Sequence, residues 1–299
     1  MRNVLKWIGI ALGALVVLCV VAVGVLYSTS ARRLGARYAV ASHPPVPVSG
    51  DSASAARGEH LTWILSCRDC HGDDLGGRIF ADAGPFGLLA GPNLTTGKGG
   101  RGSSLTDTDF ERAIRHGVRQ DSTSLIVMPA EVYTNLTDPD FAALAAYLRH
   151  APPVDRELAK THLRIVGRML LGLGNLPVLT ADSAANHQHT PPVDTTSAEV
   201  HGRYLVTIAG CSGCHGPSLS GVAGGGPGGG PPSSNLTPGG LGKWTEADFV
   251  RAMREGKRPD GSTLKDAMPW RFIGKMSDGE LRAVWAYLRT LPAKGYGEM

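Results

Sequence analysis

Two pentapeptides with the pattern Cys-x-x-Cys-His, Cys67–His71 and Cys211–His215, contain the residues of this chain best suited to chemistry. Two cysteines at this spacing can form thioethers with the two vinyl groups of one haem, and the adjacent histidine can bind the iron as its proximal ligand. The sequence therefore predicts two covalently bound haem c groups. The predicted thioether residues are Cys67, Cys70, Cys211 and Cys214, and the predicted proximal ligands are His71 and His215.

A zinc site and a thioredoxin-like dithiol are the alternative interpretations of these cysteines. A zinc site needs further cysteine or histidine ligands at short spacing. A redox dithiol does not need a histidine after its second cysteine, whereas both motifs have one. The fifth cysteine, Cys19, lies in an apolar stretch and is predicted to be inert.

The surroundings of the two motifs repeat once, about 140 residues apart. Each motif is followed, in the same order, by an Asn-Leu-Thr turn, a Thr-capped acidic segment, a Met-Pro pair and an Ala-Tyr-Leu-Arg segment. The paired landmarks are Asn93 with Asn235, Thr106 with Thr245, Met128 with Met268, and Ala146–Arg149 with Ala286–Arg289. This shared order predicts two halves with one fold and loops of different length.

The repeat also indicates the sixth ligands of the two irons. Met128 and Met268 occupy matching positions, and the proline after each restricts its backbone. Thioether sulfur is a known axial ligand of haem iron. His187 and His189, in a polar linker, are the alternative ligands. The methionines without a counterpart in the other half are predicted to pack in the core: Met169, Met253 and Met276.

Other paired polar residues lie near the motifs. Asn93 and Asn235 are predicted to shape the loop beside each haem, with the threonine two residues later bonding its backbone. Arg115 and Arg254 have two interpretations, an approach to haem propionates or surface solvation.

Helical patterns dominate both halves, so the sequence predicts an all-α chain. The first half has helical segments over about 53–66, from Thr106 to Gly117, and over about 138–150. The segment Arg156–Leu173 is predicted to be amphipathic, and the glycine-rich stretch 224–232 to be a loop. No alternating strand pattern is evident.

The N-terminus predicts a membrane anchor. Trp7–Tyr27 is nearly uncharged and about 21 residues long, enough to cross a bilayer. It exceeds the usual apolar region of a cleaved signal and lacks a strong cleavage site, so an uncleaved signal anchor is predicted. The net charge of +4 shows no basic stripe, which argues against nucleic acid as a partner.

The two motifs and their Met-Pro landmarks resemble class I cytochromes c, in the two-domain form found as cytochrome c subunits of membrane-bound periplasmic dehydrogenases. The resemblance implies three core helices around each haem, iron bound by histidine and methionine, and attachment on the periplasmic or extracytoplasmic side of the cytoplasmic membrane. Tri-haem subunits of that family carry a third motif, which this sequence does not contain.

The resulting prediction is two tandem cytochrome c domains after one transmembrane helix. The predicted boundaries are 1–30 for the anchor, 31–52 for a tether, 53–150 and 198–292 for the domains, 151–197 for the linker and 293–299 for a tail.

One-electron transfer is the predicted function. The expected donor is a dehydrogenase or quinol-oxidising complex, and the expected acceptor is a terminal oxidase or soluble cytochrome. One alternative is a dihaem enzyme, either a peroxidase or a sulfur-compound oxidoreductase, with one open haem. The other is a fixed haem subunit of a respiratory or photosynthetic complex.

Overall fold

The computed structural model describes residues 2–40, 46–184, 190–224 and 230–299. Pro44 and Pro45 of the predicted tether, the alternative ligands His187 and His189, and residues 225–229 of the glycine-rich stretch lie outside the described residues.

Helices make up most of the regular structure. The helices are α1 (Arg2–Leu34), α2 (Ser52–Ile64), α3 (Cys67–His71), α4 (Asp107–His116), α5 (Ala130–Tyr133), α6 (Asp138–His150), α7 (Ile165–Gly172), α8 (Ala181–Ala184), α9 (Ala198–Ile208), α10 (Cys211–His215), α11 (Pro238–Leu241), α12 (Glu246–Glu255), α13 (Trp270–Ile273) and α14 (Asp278–Thr290). The strands are β1 (Arg78–Asp82), β2 (Gly87–Gly91) and β3 (His162–Leu163).

Corresponding helices of the two halves begin at a capping threonine and end at a glycine. Thr106 and Asp109 form a reciprocal capping box on α4, and Thr245 and Asp248 form one on α12. Both helices end at a glycine in the left-handed conformation, with φ of 67° at Gly117 and 68° at Gly256. The predicted second helix of each half is confirmed at both ends.

The first and third helices of each half cross at a glycine. A Cβ added to Gly58 of α2 would lie 2.0 Å from the carbonyl oxygen of Ala143 in α6. A Cβ added to Gly202 of α9 would lie 1.9 Å from that of Ala283 in α14. Only glycine allows the backbones to come this close. The two crossings bring the third helix of each half against the helix that leads into the Cys-x-x-Cys-His motif.

A small antiparallel sheet in the first half differs from the all-α prediction. Strand β2 pairs with β1 on one side and with β3 on the other, and a register shift lies between Ile79 and Ala81 of β1. Burial does not alternate along β1 or β2, and β3 has only two residues, so no alternating pattern marks these strands in the sequence. The predicted amphipathic segment Arg156–Leu173 contains β3 and only one short helix, α7. The chain as a whole is mostly helical.

Helix α1 is long and apolar enough to cross a membrane, with a mean hydropathy of 2.9 over its most apolar window and none of that window buried. The helix continues to Leu34, so its last turn extends into the segment predicted as a tether.

The two halves meet through a charged cluster between α2, α6, α9 and α14. Arg57 donates to Asp140 Oδ1 at 2.9 Å and to Glu280 Oε1 at 2.8 Å. His60 Nε2 lies 2.6 Å from Glu280 Oε2, and the Tyr204 hydroxyl donates to Asp140 Oδ2 at 2.7 Å. In the repeat, His60 corresponds to Tyr204 and Asp140 to Glu280. The same contact is therefore made in both directions, as at a two-fold symmetric interface.

Apolar contacts between the halves are reciprocal as well. The rings of Trp63 in α2 and Phe272 in α13 stack with centroids 6.3 Å apart. On the other side, a Cβ added to Gly210, just before α10, would lie 3.3 Å from Val132 of α5. Val132 and Phe272 are corresponding residues. Each half thus packs the helix after its Met-Pro pair against the segment that precedes the other half's motif.

The carboxylate of Glu280 is stabilised in its charged form by its contacts at this interface. Burial alone would raise its pKa, but hydrogen bonds from His60, from the backbone N–H of Ser277 and from Arg57 outweigh burial and lower the pKa from 4.5 to about 2. A lowered pKa adds stability that is complete above the unfolded-state value and is lost as pH falls through the folded-state value. At about 1.4 kcal/mol per pKa unit, Glu280 contributes about 3 kcal/mol, lost between about pH 4.5 and pH 2.

Replacing Glu280 with glutamine is therefore expected to reduce the acid sensitivity of the fold. Between about pH 6 and pH 3, the free energy of unfolding of the Glu280→Gln variant falls by about 2 kcal/mol less than that of the unmodified protein. Urea titrations at both pH values measure the difference. Glu255→Gln, at an exposed position of α12, is the control. Equal acid sensitivity of the two variants would contradict this account of the interface.

Candidate haem-binding sites

The two motifs form matching one-turn helices. Helix α3 begins after Ser66 and α10 after Gly210, and both preceding residues have a left-handed backbone, with φ of 57° and 70°. This bend ends the long first helix of each half and turns the chain into the motif. Cys67, Cys70 and Cys211 are half-buried and Cys214 is exposed.

The imidazoles of the two motifs make the same hydrogen bond. His71 Nδ1 lies 2.9 Å from the carbonyl oxygen of Pro92, and His215 Nδ1 lies 2.7 Å from that of Ser234. Each Nδ1 therefore carries the proton and donates it, which leaves Nε2 as the nitrogen with a free lone pair. A histidine that binds a metal through one ring nitrogen commonly donates the other N–H to a carbonyl in this way.

Burial also favours the neutral imidazoles. It lowers the pKa of both histidines, although the hydrogen bonds to the carbonyl groups act in the opposite direction. The rings are held neutral, which is the form that binds iron. The residues present therefore fit two haem groups, each with a histidine held in the ligating tautomer.

The loops that supply the two carbonyl groups are fixed by the predicted asparagines. Asn93 Oδ1 accepts hydrogen bonds from the backbone N–H and the hydroxyl of Thr95, and its Nδ2 donates to Val154 O at 2.7 Å. Asn235 makes the same contacts with Thr237 and with Lys294 O at 2.8 Å. The loop-shaping contacts expected of the two asparagines are present. Pro92 and Ser234, which precede the asparagines, were missed because a backbone carbonyl leaves no residue type to recognise.

The two alternative interpretations of the cysteines find little support in the geometry. Burial raises the pKa of Cys67 and of Cys211 to about 12, whereas a reactive dithiol needs a low thiol pKa. Among the described residues, no three or more His, Cys, Asp or Glu side chains come together as a zinc site requires.

The predicted methionines hold equivalent places. Met128 and Met268 are half-buried and pack against the core. In both halves the carbonyl of the methionine accepts a hydrogen bond from the residue two positions later, at 2.8 Å, and a short helix follows. In the first half this helix lies next to the motif, because the Tyr133 hydroxyl donates to Leu65 O at 2.7 Å. Met253 and Met276 are buried in the core, and Met169 is half-buried in α7.

Arg115 and Arg254 both have protein partners. Arg115 is 1% exposed and pairs with Asp138 at 2.8 Å, so the surface interpretation is wrong for this residue. Arg254 pairs with Asp278 at 2.7 Å and also donates to Gly274 O. These contacts tie the second helix of each half to the start of the third.

Arg68, between the two cysteines of the first motif, has a structural role. Its guanidinium is buried, lies 4.3 Å from the centre of the Trp63 ring, and donates to Thr62 Oγ1 at 2.8 Å and to the Tyr147 hydroxyl at 3.0 Å. It thereby fixes α3 to both α2 and α6. The second motif has Ser212 at this position. In the sequence, the one feature that could indicate this role of Arg68 is the aromatic residue Trp63 in the preceding helix, because arginine packs on aromatic rings.

Comparison with known families assigns both halves. Residues 200–292 match the family described as "Cytochrome c", and residues 53–148 match "Cytochrome C oxidase, cbb3-type, subunit III". Both halves are cytochrome c domains, and two such domains account for two covalently bound haem c groups.

Similar proteins cover most of the chain. The fructose dehydrogenase cytochrome subunit of Gluconobacter japonicus is 28% identical over 84% of this chain and 55% of its own length. The diheme cytochrome c-type protein of Cereibacter sphaeroides is 28% identical over 83% of this chain and 90% of its own length. The gluconate 2-dehydrogenase cytochrome c subunit of Pantoea cypripedii is 29% identical over 82% and 61%. The chain thus spans 55% and 61% of the lengths of these two dehydrogenase cytochrome subunits.

Haem stoichiometry tests the assignment of the cysteines. The double variant Cys67→Ala/Cys70→Ala is expected to keep one covalent haem per chain, because the second motif is intact, and Cys211→Ala/Cys214→Ala is expected to do the same. Intact mass and the pyridine haemochrome assay measure the ratio. The control Cys19→Ser, outside both motifs, retains both haems. Two covalent haems in either double variant would show that the assigned thiols do not form the thioethers.

Proposed function

We propose that this dihaem c-type cytochrome receives electrons from a membrane-bound dehydrogenase and passes them one at a time to an acceptor outside the cytoplasm. The observation that carries the proposal is the repeated His-to-carbonyl hydrogen bond, which prepares one ligating imidazole in each half. Dehydrogenase cytochrome subunits among the similar proteins support the choice of donor.

In this proposal each haem is held by one motif and one methionine. Cys67 and Cys70 form the thioethers of the first haem, and His71 and Met128 bind its iron. The second set is Cys211, Cys214, His215 and Met268. Bound haem would supply a one-electron Fe(III)/Fe(II) couple, and an iron held by one histidine and one methionine would have no position left for a substrate. The chain's own contribution is to keep both ligands in place in either oxidation state.

The interface between the halves supports transfer through one rigid body. Arg57, Asp140 and Glu280 join the two halves by charge, and Trp63 stacks on Phe272. Trp63 lies four residues before Cys67, and Phe272 lies four residues after Met268. The contact thus links the motif segment of one half directly to the methionine segment of the other, and it limits their relative movement.

We further propose that α1 anchors the protein in the cytoplasmic membrane and that both cytochrome c domains lie on its periplasmic side. The length and hydropathy of α1 support the anchor, and thioether attachment of haem supports the side. The domain limits proposed are those predicted, 53–150 and 198–292. The family matches cover residues 53–148 and 200–292, so they lie inside these limits and differ from them by at most two residues.

The central expectation of this function is that neither haem iron has a free coordination position. In a spectroelectrochemical titration repeated under carbon monoxide, both reduced haems are expected to remain low-spin and to bind no carbon monoxide. Met128→Ala and Met268→Ala should each open one iron, lower the potential of that haem and permit carbon monoxide binding at one haem per chain.

Met253→Ala is the matched control, because it also removes a methionine from the second half but from a core position. It should reduce stability by about 2–5 kcal/mol without opening an iron. Carbon monoxide binding by the unmodified protein would instead favour the dihaem enzyme, in which one haem is open.

A fixed subunit of a respiratory or photosynthetic complex is the alternative candidate, and the similar proteins do not favour it over electron transfer from a dehydrogenase. The two candidates differ in how firmly the protein holds its partner. If the protein is a subunit, mild detergent extraction and size-exclusion chromatography are expected to yield a stable complex with a dehydrogenase or an oxidase. If it is a carrier, it elutes alone and reacts with its donor at a rate that falls with ionic strength. The control is the same extraction after a high-salt wash.

A further inference from the structure

Helix α7 packs against α1 near the end of the apolar stretch. A Cβ added to Gly172 would lie 2.3 Å from the carbonyl oxygen of Leu26. One turn earlier in α7, Arg168 Nε donates to the buried Ser30 Oγ at 2.6 Å. As α7 runs from residue 168 to 172, the matching residues of α1 run from 30 back to 26. The two helices are therefore antiparallel, and the C-terminal end of α7 points toward the apolar stretch.

The depth of this contact follows from the sequence of α1. Its apolar stretch ends at Tyr27, and Gly172 lies beside Leu26, so the end of α7 is level with the last apolar turn. The guanidinium of Arg168 lies 4.1 Å from the centre of the Tyr27 ring. Tyrosine and arginine are residues typical of the boundary between hydrocarbon and headgroups.

Large apolar side chains around this contact face outward. Leu173 is 55% exposed at the end of α7, Ile165 is 57% exposed at its start, and Phe86 is 46% exposed. Phe86 adjoins α7, because a Cβ added to Gly167 would lie 2.0 Å from its carbonyl oxygen. These side chains continue the apolar surface of α1 onto the first cytochrome c domain.

We propose that Leu26–Arg33 and Ile165–Leu173 form a membrane-surface pair, whose outward face lies in the headgroup region of the bilayer and inserts Leu173 at the edge of the hydrocarbon. The inference rests on the proposed anchoring by α1. Lipid is the partner that covers the outward face of the pair. The pair continues the apolar surface of α1, and it combines an apolar face with arginine at the level where that surface ends.

The pair also connects the anchor to the first domain. Strand β3, which precedes α7, pairs with β2, and the backbone N–H of Arg164 donates to Phe86 O at 3.0 Å. Arg33 donates to Leu171 O at 2.9 Å from the α1 side. The membrane-surface pair thus holds the first domain at a fixed position against the bilayer, where a flexible tether would leave it free to rotate.

Spin labels on the full-length holoprotein test this inference in vesicles of phosphatidylethanolamine and phosphatidylglycerol. One label is placed at position 173 in the variant Cys19→Ser/Leu173→Cys, and a control label in Cys19→Ser/Lys243→Cys, at an exposed residue of the second half. Collision with oxygen reports lipid, and collision with a water-soluble nickel chelate reports water. The oxygen-to-nickel accessibility ratio is expected to be several-fold higher at position 173 than at position 243.

The native thiol of Cys19 separates the two proposals. A label on Cys19 in the unmodified chain reports on α1 itself. If Cys19 is accessible to oxygen and position 173 only to the nickel chelate, the proposed membrane-surface pair is overturned while the anchor stands. A protein partner would then be the alternative cover of the apolar side chains around α7. If Cys19 is also accessible to nickel, the proposed anchoring fails first.

A glycine comparison tests whether α1 positions α7. Gly172→Ala places a Cβ against Leu26, whereas Gly24→Ala adds one on α1 where no atom lies within 4 Å. With the label at position 173, Gly172→Ala is expected to raise nickel accessibility several-fold and Gly24→Ala to leave it unchanged. Equal values for the two variants would overturn the role of the α1 contact, and unchanged haem spectra confirm that both variants are folded.

Discussion

The hydrogen bond from the motif histidine to a backbone carbonyl is the contact on which each half depends. It selects the imidazole tautomer, and it also connects the motif to the loop that contains the asparagine. That loop is held by an asparagine whose side-chain amide donates to the chain just after the third helix, at Val154 in one half and Lys294 in the other. The motif, the loop and the end of the third helix therefore form one hydrogen-bonded unit, and displacing any of them would move the ligating nitrogen.

The two units are joined with approximate two-fold symmetry, but with different residues at corresponding places. The third-helix acids Asp140 and Glu280 each accept a hydrogen bond from the other half, from Tyr204 in one case and His60 in the other. Arg57 breaks the symmetry, because it contacts both acids. An arrangement of this kind is expected if two copies first met as identical partners and later diverged within one chain.

Much of this organisation could be predicted because it depends on local signals. The capping threonines, the terminal glycines and the order of landmarks all act within a few residues, and the same order occurs twice. The charged interface could not be predicted, since its partners lie more than 200 residues apart for Arg57 and Glu280 and no local pattern connects them. The short strands were missed for a related reason. β2 pairs with β3 in the segment after the first domain, and burial does not alternate along β1 or β2, so no period of two marks them in the sequence.

Among the described residues, the elements that occur only in the first half lie next to one another. The sheet, α7 and the end of α1 are contiguous, because β3 pairs with β2 and α7 packs on α1. In the described part of the second half no strand is present. Two copies of one fold would need no such difference for haem binding alone, since both prepare the histidine identically. The difference is accounted for by attachment: only the first half follows directly on α1, and only there must a domain be oriented against it.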